Sequence, residues 1–286
     1  MQRVQILKMS SAPSDHPKRY PELLSDKDTL DVRGLFTDVD DTLTKDGKLS
    51  AEAYTAMWDL SKAGVQVIPV TGRSAGWAHL MLAQWPVPAV IAESGGLYLH
   101  KVRNAQGQLV TQSVFHQAAE IIASQRLALM QKCIALIEEF PGLSFASDNW
   151  LRQVDVAIDY CEEVPRVAWS TVQACIDRLR ATGYQARHSS VHINAWQGSF
   201  DKGPMAMRYL TETLGLSSVE AHEHWIFIGD APNDSSMFGM FPRSVAVANI
   251  SEHLAALTDD TPKFITQASY GAGFIELAQK ILRHRT

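Results

Sequence analysis

The sequence has few cysteines, no long apolar run and little excess of charge of either sign. Its three cysteines, Cys133, Cys161 and Cys175, form no C-x-x-C pair, which indicates reduced thiols in a cytoplasmic protein rather than a disulfide framework. No apolar run reaches the ~18 residues that cross a bilayer. Residues 1–8 lack the apolar stretch of a secretory signal. The sequence therefore argues against a membrane protein and against a secreted one.

The charge balance also argues against a nucleic-acid partner. The chain has 26 basic and 31 acidic residues, a formal net charge of −5, and no run of basic residues. With 46% hydrophobic and 20% charged residues, its composition is that of an ordinary globular protein. At about 150 residues per domain, the length of 286 residues predicts two domains. We expect a monomer or a homodimer.

Strands and helices are predicted to alternate in two separate stretches of the chain. The first stretch holds strands over 34–38, 65–70 and 89–92 and helices over 50–62 and 74–85. After Asp201 the alternation resumes with helices over 202–216 and 273–283 and strands over 225–228 and 245–247. Strands that are apolar along nearly their whole length are typical of a parallel sheet covered on both faces.

Between the two stretches the pattern changes. It predicts a hairpin around the turn 104–107, helices over 117–140 and 165–182, and strands over 153–158 and 190–195. The predicted fold is α/β, a Rossmann-like doubly wound parallel sheet with an inserted α+β cap domain. We expect an N-terminal extension over 1–30, a core over 31–98 and 199–286, and the insertion over 99–198.

Polar side chains follow the predicted parallel strands at the points where the strands end. Asp38 and Asp40 follow the first strand, Thr71 the second and Asp230 a later one, with Asp234 nearby. In open parallel sheets, ligands bind beyond the carboxyl ends of the strands. Converging carboxylates repel one another unless a cation lies between them, and oxygen ligands favour Mg²⁺ over zinc or copper. The sequence therefore predicts a magnesium site at this edge.

Four motifs occur in a fixed order, namely Asp38–Leu43 (D-x-D-x-T-L), Thr71–Arg73, Lys202 and Gly229–Asp234 (G-D-x-x-N-D). Together they resemble the signature of the haloacid dehalogenase superfamily of phosphatases. The segment Glu93–Gly96 resembles the E-N-G-A segment of the large-cap, type IIB or Cof-like subgroup, although Ser94 and Gly96 depart from that pattern. Within the fourth motif, the dipeptide Ala231-Pro232 resembles the sequence of sugar-phosphate phosphatases, including the mannosyl-3-phosphoglycerate phosphatases.

The resemblance implies a role for each motif. Asp38 would be the nucleophile that forms an aspartyl-phosphate, and Asp40 would be the general acid and base. Metal ligands would come from Asp38, Asp40 (through its main-chain carbonyl) and Asp230, with Asp234 orienting either Lys202 or a metal-bound water. The catalytic residues implied are Asp38, Asp40, Thr71 and Lys202, and the metal residues are Asp38, Asp40, Asp230 and Asp234.

Substrate contacts are expected from both domains. The substrate-binding residues we predict are Thr71, Gly72, Arg73, His192, Asn194, Lys202 and Asn233. His192 and Asn194 are the first choices among the polar residues of the insertion, which also include Arg152, Arg187, His188 and Ser190. Other interpretations stay open. Thr71 could be no more than the N-cap of the helix over 74–85. Lys202 could be a solvated first-turn lysine, and Arg73 could form an exposed salt bridge.

These features predict a Mg²⁺-dependent phosphatase that hydrolyses a small phosphorylated metabolite, a sugar or polyol phosphate, in the cytoplasm. A phosphomutase is an alternative, since phosphomannomutases share this cap type. A catalytically silent binding module is a second alternative. The presence of Asp38, Asp40, Lys202 and Asp230 argues against the silent module, because the loss of any one of them would be its simplest sign.

Overall fold

A computed structural model describes residues 21–189, 191–253, 257 and 260–285. The strands are β1 (Glu22–Leu23), β2 (Gly34–Thr37), β3 (Thr44–Lys45), β4 (Lys48–Leu49), β5 (Gln66–Pro69), β6 (Ala89–Ala92), β7 (Leu97–Arg103), β8 (Leu109–Phe115), β9 (Ser144–Phe145), β10 (Val156–Asp159), β11 (Gln185–His188), β12 (His192–Trp196), β13 (Trp225–Gly229), β14 (Ser244–Ala246) and β15 (Phe264–Ile265). The helices are α1 (Ala51–Lys62), α2 (Ala75–Gln84), α3 (Ala119–Glu139), α4 (Trp169–Ala181), α5 (Lys202–Arg208), α6 (Ser218–His224), α7 (Ser235–Met240) and α8 (Tyr270–Leu282).

A parallel sheet with the strand order β1-β15-β14-β13-β2-β5 forms the centre of the core. Successive side chains of a strand point to opposite faces, and Leu35 and Phe36 accordingly belong to two different apolar clusters. Helices α1 and α8 contribute to the first cluster, and α5 and α7 contribute to the second. The predicted Rossmann-like core, with both faces of its sheet covered, is confirmed.

Local sequence signals set the bounds of α1. The hydroxyl of Ser50 accepts a hydrogen bond from the Ala53 N–H at 3.1 Å, so Ser50 is the N-cap that the sequence predicts. Gly64 follows the helix at a φ of +78°, a left-handed conformation that glycine adopts without steric cost. This helix returns the chain to the start of β5, next to β2.

The strand β6 belongs to two sheets. A parallel bridge between Val70 and Ile91 joins it to the end of β5, which agrees with the predicted extension of the parallel sheet. It also pairs antiparallel with β7, and this pairing was not predicted. The hairpin β7–β8 continues this second sheet, and Leu97 and Leu99 pack into the core cluster. We therefore propose that the boundary between core and insertion lies after Phe115 rather than at residue 99.

The insertion has its own sheet and its own apolar core. Its antiparallel sheet has the order β11-β12-β10-β9, and α3 and α4 pack against it. Leu129 of α3, Val172 of α4 and Ile158 of β10 lie together in a cluster separate from those of the core. The predicted inserted α+β domain is confirmed, while the short strands β9 and β11 were not predicted.

The start of the described chain is attached to the core. The two residues of β1 pair with β15 at the sheet edge, and the Asp26 carboxylate pairs with Arg283 at 2.9 Å and with Lys280 at 3.3 Å. The rest of the predicted extension, residues 1–20, lies outside the described residues. Cys133, Cys161 and Cys175 are free thiols, as expected. No described helix is long and apolar enough to cross a membrane.

Candidate active site

The carboxyl ends of three neighbouring strands bring the predicted site residues together. Asp38 directly follows β2, Asp230 follows β13, and Thr71 lies two residues beyond β5. The Asp38 N–H donates to the Ile228 carbonyl at 2.9 Å, and the Thr71 N–H donates to the Ile91 carbonyl at 2.9 Å. Because the sheet fixes these backbone positions, the side chains are held in place before any ligand binds.

Lys202 lies between two buried carboxylates. Its Nζ atom is 2.6 Å from Asp38 Oδ1 and 2.7 Å from Asp234 Oδ1, and its side chain is 1% exposed. The solvated-lysine interpretation is therefore wrong. Burial alone would lower the pKa of Lys202, but the two carboxylates raise it overall, so the ammonium stays charged. A buried cation beside Asp38 is suited to binding an anionic phosphoryl group.

The combined negative charge of three carboxylates in this region exceeds the single positive charge of Lys202. Oxygen atoms of Asp38, Asp230 and Asp234 lie within 4.8 Å of one another. Burial is the main cause that raises the pKa of Asp38 and of Asp230 well above the usual value, and neighbouring carboxylates add to it. Within the described residues, Asp230 forms no ion pair with a basic side chain. A buried, oxygen-only cluster with excess negative charge could hold a metal ion and fits a hard cation such as Mg²⁺.

Neighbouring side chains orient Asp230. The Thr42 hydroxyl donates to Asp230 Oδ1 at 3.0 Å. The Asn249 amide donates to the Asp41 carbonyl at 3.0 Å, and its nitrogen lies 3.5 Å from Asp230 Oδ2. Neither Thr42 nor Asn249 is predicted from the sequence to have a role. Thr42 could have been inferred from its place in the first motif, whereas Asn249 follows no recognisable signal.

Both carboxylate oxygens of Asp234 already have partners in the protein. Oδ1 contacts Lys202, and Oδ2 accepts from the N–H groups of Asp230 at 3.1 Å and of Ala231 at 3.4 Å. A side chain at Gly229 would collide with this carboxylate, which explains the glycine that precedes Asp230. Asp234 is therefore placed to orient Lys202 and the loop that carries Asp230.

Asp40 is held by an arginine. The Arg73 Nε and Nη2 atoms donate to the two oxygens of Asp40, each at 2.9 Å, in a bidentate pair. The third donor, Nη1, lies 2.9 Å from an oxygen of Glu162, which belongs to the insertion. The Arg73 side chain is 11% exposed, so this is not the exposed salt bridge considered above. Glu162 was not predicted, because nothing in its local sequence marks its contact with the core.

Thr71 is buried, and Ser74 rather than Thr71 occupies the N-cap position of α2. The Thr71 hydroxyl accepts the Arg73 N–H at 3.0 Å, which leaves its own proton available for a ligand. The Gly72 carbonyl accepts from Arg152 Nη1 at 3.0 Å and from Asn194 Nδ2 at 3.3 Å, both from the insertion. The insertion thus holds the peptide that follows Thr71.

A buried network fastens the insertion to the core. Arg152, with no exposed side-chain surface, pairs with Asp148 and Asp155, so it is not free to contact substrate as the sequence suggested. The Glu93 carboxylate accepts backbone N–H groups from both domains. Its donors are Ala75 of the core, at 2.9 Å, and Gln153, Val154 and Asp155 of the insertion, at 2.9, 2.6 and 3.0 Å. Burial, with Asp155 beside it, raises the pKa of Glu93 to about 7.

A cavity of about 610 Å³ opens between the insertion and the strand ends. The predicted residues that line it are Asp38, Asp40, Gly72, Arg73, His192, Asn194, Asp230 and Asn233. Thr71, Lys202 and Asp234 are buried. Among the remaining polar residues of the insertion, His188 lines the cavity, Arg187 pairs with Asp201 at 2.7 Å, and Ser190 lies outside the described residues.

The sequence matches the family model of the haloacid dehalogenase-like hydrolases over residues 35–139 and 173–268. The chain belongs to this family. The matched ranges contain the strand ends, Lys202 and Asp230, and the gap between them, residues 140–172, lies within the insertion.

Relatives and solved structures agree with this assignment. A phosphoglycolate phosphatase of Methanothermobacter thermautotrophicus is 24% identical over 252 residues, which cover 88% of this chain and 99% of that protein. The C-terminal domain of a C. albicans trehalose-6-phosphate phosphatase has a TM-score of 0.68 at 15% identity, covering 92% and 98% of the two chains. A subclass IIB sugar phosphatase of the superfamily has a TM-score of 0.57 at 13% identity, covering 87% and 98%. The two structural likenesses show the fold, including the large cap.

Proposed function

We propose that this chain is a Mg²⁺-dependent phosphatase that hydrolyses a small phosphomonoester, a sugar or polyol phosphate, through an aspartyl-phosphate on Asp38. The observation that carries the proposal is the contact of Asp38 with Lys202 at 2.6 Å, next to Asp230, at a cavity that Asp38 and Asp230 line. The phosphatase names of relatives and structural neighbours support the same chemistry.

The proposed reaction has two steps, which Asp38, Asp40, Thr71 and Lys202 carry out together. An oxygen of Asp38 forms a bond to phosphorus while the bond from phosphorus to the substrate oxygen breaks, and Asp40 gives that leaving oxygen a proton. Asp40 then takes a proton from water as the water attacks phosphorus, which releases phosphate and restores Asp38. Lys202 and the Thr71 hydroxyl bind the phosphoryl oxygens throughout.

The cation site belongs to the same proposal. The carboxylates of Asp38 and Asp230 and the main-chain carbonyl of Asp40 would hold Mg²⁺. When bound, it supplies positive charge that offsets the charge of the phosphoryl group. We assign Asp234 to the orientation of Lys202, since its two oxygens are engaged by protein donors.

The cavity supports a substrate of limited size. About 610 Å³ is within the range of small-molecule sites, and its wall combines apolar Val167 with the hydrogen-bonding side chains of Tyr160, His188 and Asn233. Such a wall suits a polyhydroxylated leaving group. The named substrates of the relatives, phosphoglycolate and a sugar phosphate, both fall within this size.

A screen of phosphorylated substrates, with a variant that lacks the nucleophile as the blank, tests the proposal. Phosphate release would be measured over a panel of phosphorylated metabolites with Mg²⁺, using wild type, Asp38→Asn, and Asp59→Asn as a control on the exposed side of α1. We expect release from some sugar or polyol phosphates by wild type and by Asp59→Asn. We expect none by Asp38→Asn, because an amide is a poor nucleophile.

Undiminished turnover by Asp38→Asn would refute the assignment of the nucleophile. Phosphate transfer between substrate hydroxyls with little free phosphate would show a mutase instead, and an inert wild-type protein that binds its ligand would show a binding module.

A further inference from the structure

A loop of the insertion is built to present one carboxylate to the core. Asp159, at the end of β10, accepts three successive backbone N–H groups, from Cys161, Glu162 and Glu163, each at 2.8 Å. The Asp159 side chain is buried, so this turn has a fixed shape. The Glu162 side chain consequently extends from a rigid support.

Glu162 bridges the two domains. Its Oε1 atom is 2.9 Å from Arg73 Nη1 in the core, and its Oε2 atom is 2.7 Å from His192 Nε2 on β12. Its side chain is 31% exposed. The contact with His192 is the main cause that lowers the pKa of Glu162 to about 2, and Arg73 adds to it. Glu162 is therefore a carboxylate at neutral pH.

The arginine transmits this contact to Asp40. Three nitrogens of one planar guanidinium are engaged, two by Asp40 and one by Glu162. Since the guanidinium is rigid, an acceptor on Nη1 also restricts the plane in which Nε and Nη2 meet Asp40. The ring of Trp77, 5.5 Å away, lies against the same guanidinium. The Asp40 carboxylate is thus connected, through Arg73, to a side chain of the other domain.

We propose that Glu162 is a positioning residue: with the insertion packed on the core, it acts through Arg73 to orient the Asp40 carboxyl group, which in its protonated form gives the proton to the leaving group and as a carboxylate takes one back from water. The inference rests on the proposed role of Asp40 as proton donor. It predicts that a residue without a contact to Asp40 affects one chemical step, and that this effect requires both domains.

The test exploits two adjacent glutamates on the same loop. Glu162→Ala removes the acceptor for Arg73, and Glu162→Gln keeps a neutral one. Glu163→Gln is the matched control, because the Glu163 carboxylate contacts the Ser147 hydroxyl, at 2.7 Å, and not Arg73. Each variant would be assayed with an alkyl phosphate, whose leaving group needs a proton, and with an aryl phosphate, whose leaving group needs it much less. Thermal unfolding would verify that the variants fold.

Glu162→Ala should lower kcat for the alkyl ester about 10-fold, a part of the factor that a positioned general acid supplies, with the KM nearly constant. The loss on the aryl ester should be below about threefold, Glu162→Gln should lie between Glu162→Ala and wild type, and Glu163→Gln should match wild type. In an Asp40→Asn background, Glu162→Ala should cost nothing more, because both changes act on the same step.

Equal losses on both esters, or a change confined to KM, would overturn the inference in favour of a structural or substrate-binding role. The two proposals fail separately. If Asp40→Asn keeps alkyl turnover, the proposed proton donor is wrong. If Asp40→Asn loses alkyl turnover selectively and Glu162→Ala does not, only the role of Glu162 is wrong.

Discussion

A single ammonium group partly neutralises a cluster of buried carboxylates at the strand ends. Lys202 contacts Asp38 and Asp234, and Asp230 remains without a basic partner among the described residues. Leaving a charge buried and unpaired is costly, and a metal ion held by this cluster would lower that cost. The buried carboxylates of this cluster repel one another, and this local repulsion is unfavourable for stability.

Replacing this lysine should stop turnover. Lys202→Met keeps the length and the apolar stem but removes the charge that would bind the phosphoryl oxygens, so we expect kcat to fall by about 10³-fold. Steady-state phosphate release measures the effect, and Lys62→Met, at an exposed position of α1, is the control. Turnover within about threefold of wild type would show that Lys202 has no catalytic role.

Single-residue roles were predictable to different degrees. Asp38 and Asp230 follow from the rule that ligands bind at strand ends, and Lys202 could be selected only by resemblance, since a first-turn lysine has no distinguishing local pattern. Glu162 could not be predicted, and Glu93 was marked only by its place in the segment Glu93–Gly96, which did not reveal its contacts. Each acts through contacts with residues far away in the sequence, and such contacts exist only after both domains have formed.

Loops and short segments, more than the long elements, connect the insertion to the core. The segment Glu93–Gly95 has three successive residues with positive φ, of 50°, 56° and 95°, next to the loop 153–155 that it binds. A side chain at Gly95 would collide with the Asp201 backbone. The helices α1, α2 and α8 and the strands β2, β5, β13 and β14 were predicted from periodicity, whereas the short helix α6 was not. The antiparallel pairing of β6 with β7 was not predicted either, because an apolar run is compatible with parallel and antiparallel partners alike.

The buried Glu93 should make stability depend on pH. Its pKa is about 7 in the folded protein and near the ordinary value of 4.5 in the unfolded chain, with Arg152 and Asp155 as the charged groups that face it. Between these values only the folded state keeps the proton. The free energy of unfolding therefore falls as pH rises from about 4.5 to about 7, by an amount on the order of 3 kcal/mol.

Denaturant unfolding between about pH 4 and about pH 8 measures this slope. Glu93→Gln has no titrating group, so its stability should change less over that range, whereas Glu139→Gln, at an exposed position of α3, should follow wild type. Parallel profiles for wild type and Glu93→Gln would contradict the prediction.

The whole molecule assembles its site from two stretches of core separated by the insertion. Asp38 lies on one side of the inserted residues and Asp230 on the other, and pairing of β2 with β13 brings them together. The overall architecture could be predicted because the βα alternation stops and then resumes. The position of the insertion on the core could not be predicted, because it depends on the network of Glu93, Arg152 and Asp155 rather than on any periodic pattern.

A cation held by Asp38 and Asp230 would also join the two stretches. We expect EDTA to abolish phosphate release and added Mg²⁺ to restore it. Mg²⁺ should also raise the melting temperature of the metal-free protein, since a ligand at 100 times its Kd stabilises the folded state by about 2.7 kcal/mol. Asp230→Asn should weaken both responses. Full activity in EDTA, or melting that Mg²⁺ leaves unchanged, would contradict the proposed site.

Asp201 connects the insertion to the helix that begins at Lys202. One of its oxygens accepts the Lys202 N–H at 2.7 Å and caps α5, while the other pairs with Arg187 of β11. A displacement of the insertion relative to the core would either break this pair or carry Asp201 with it. In the second case the backbone of Lys202, the next residue, would move as well, and the distance from its ammonium group to Asp38 would change.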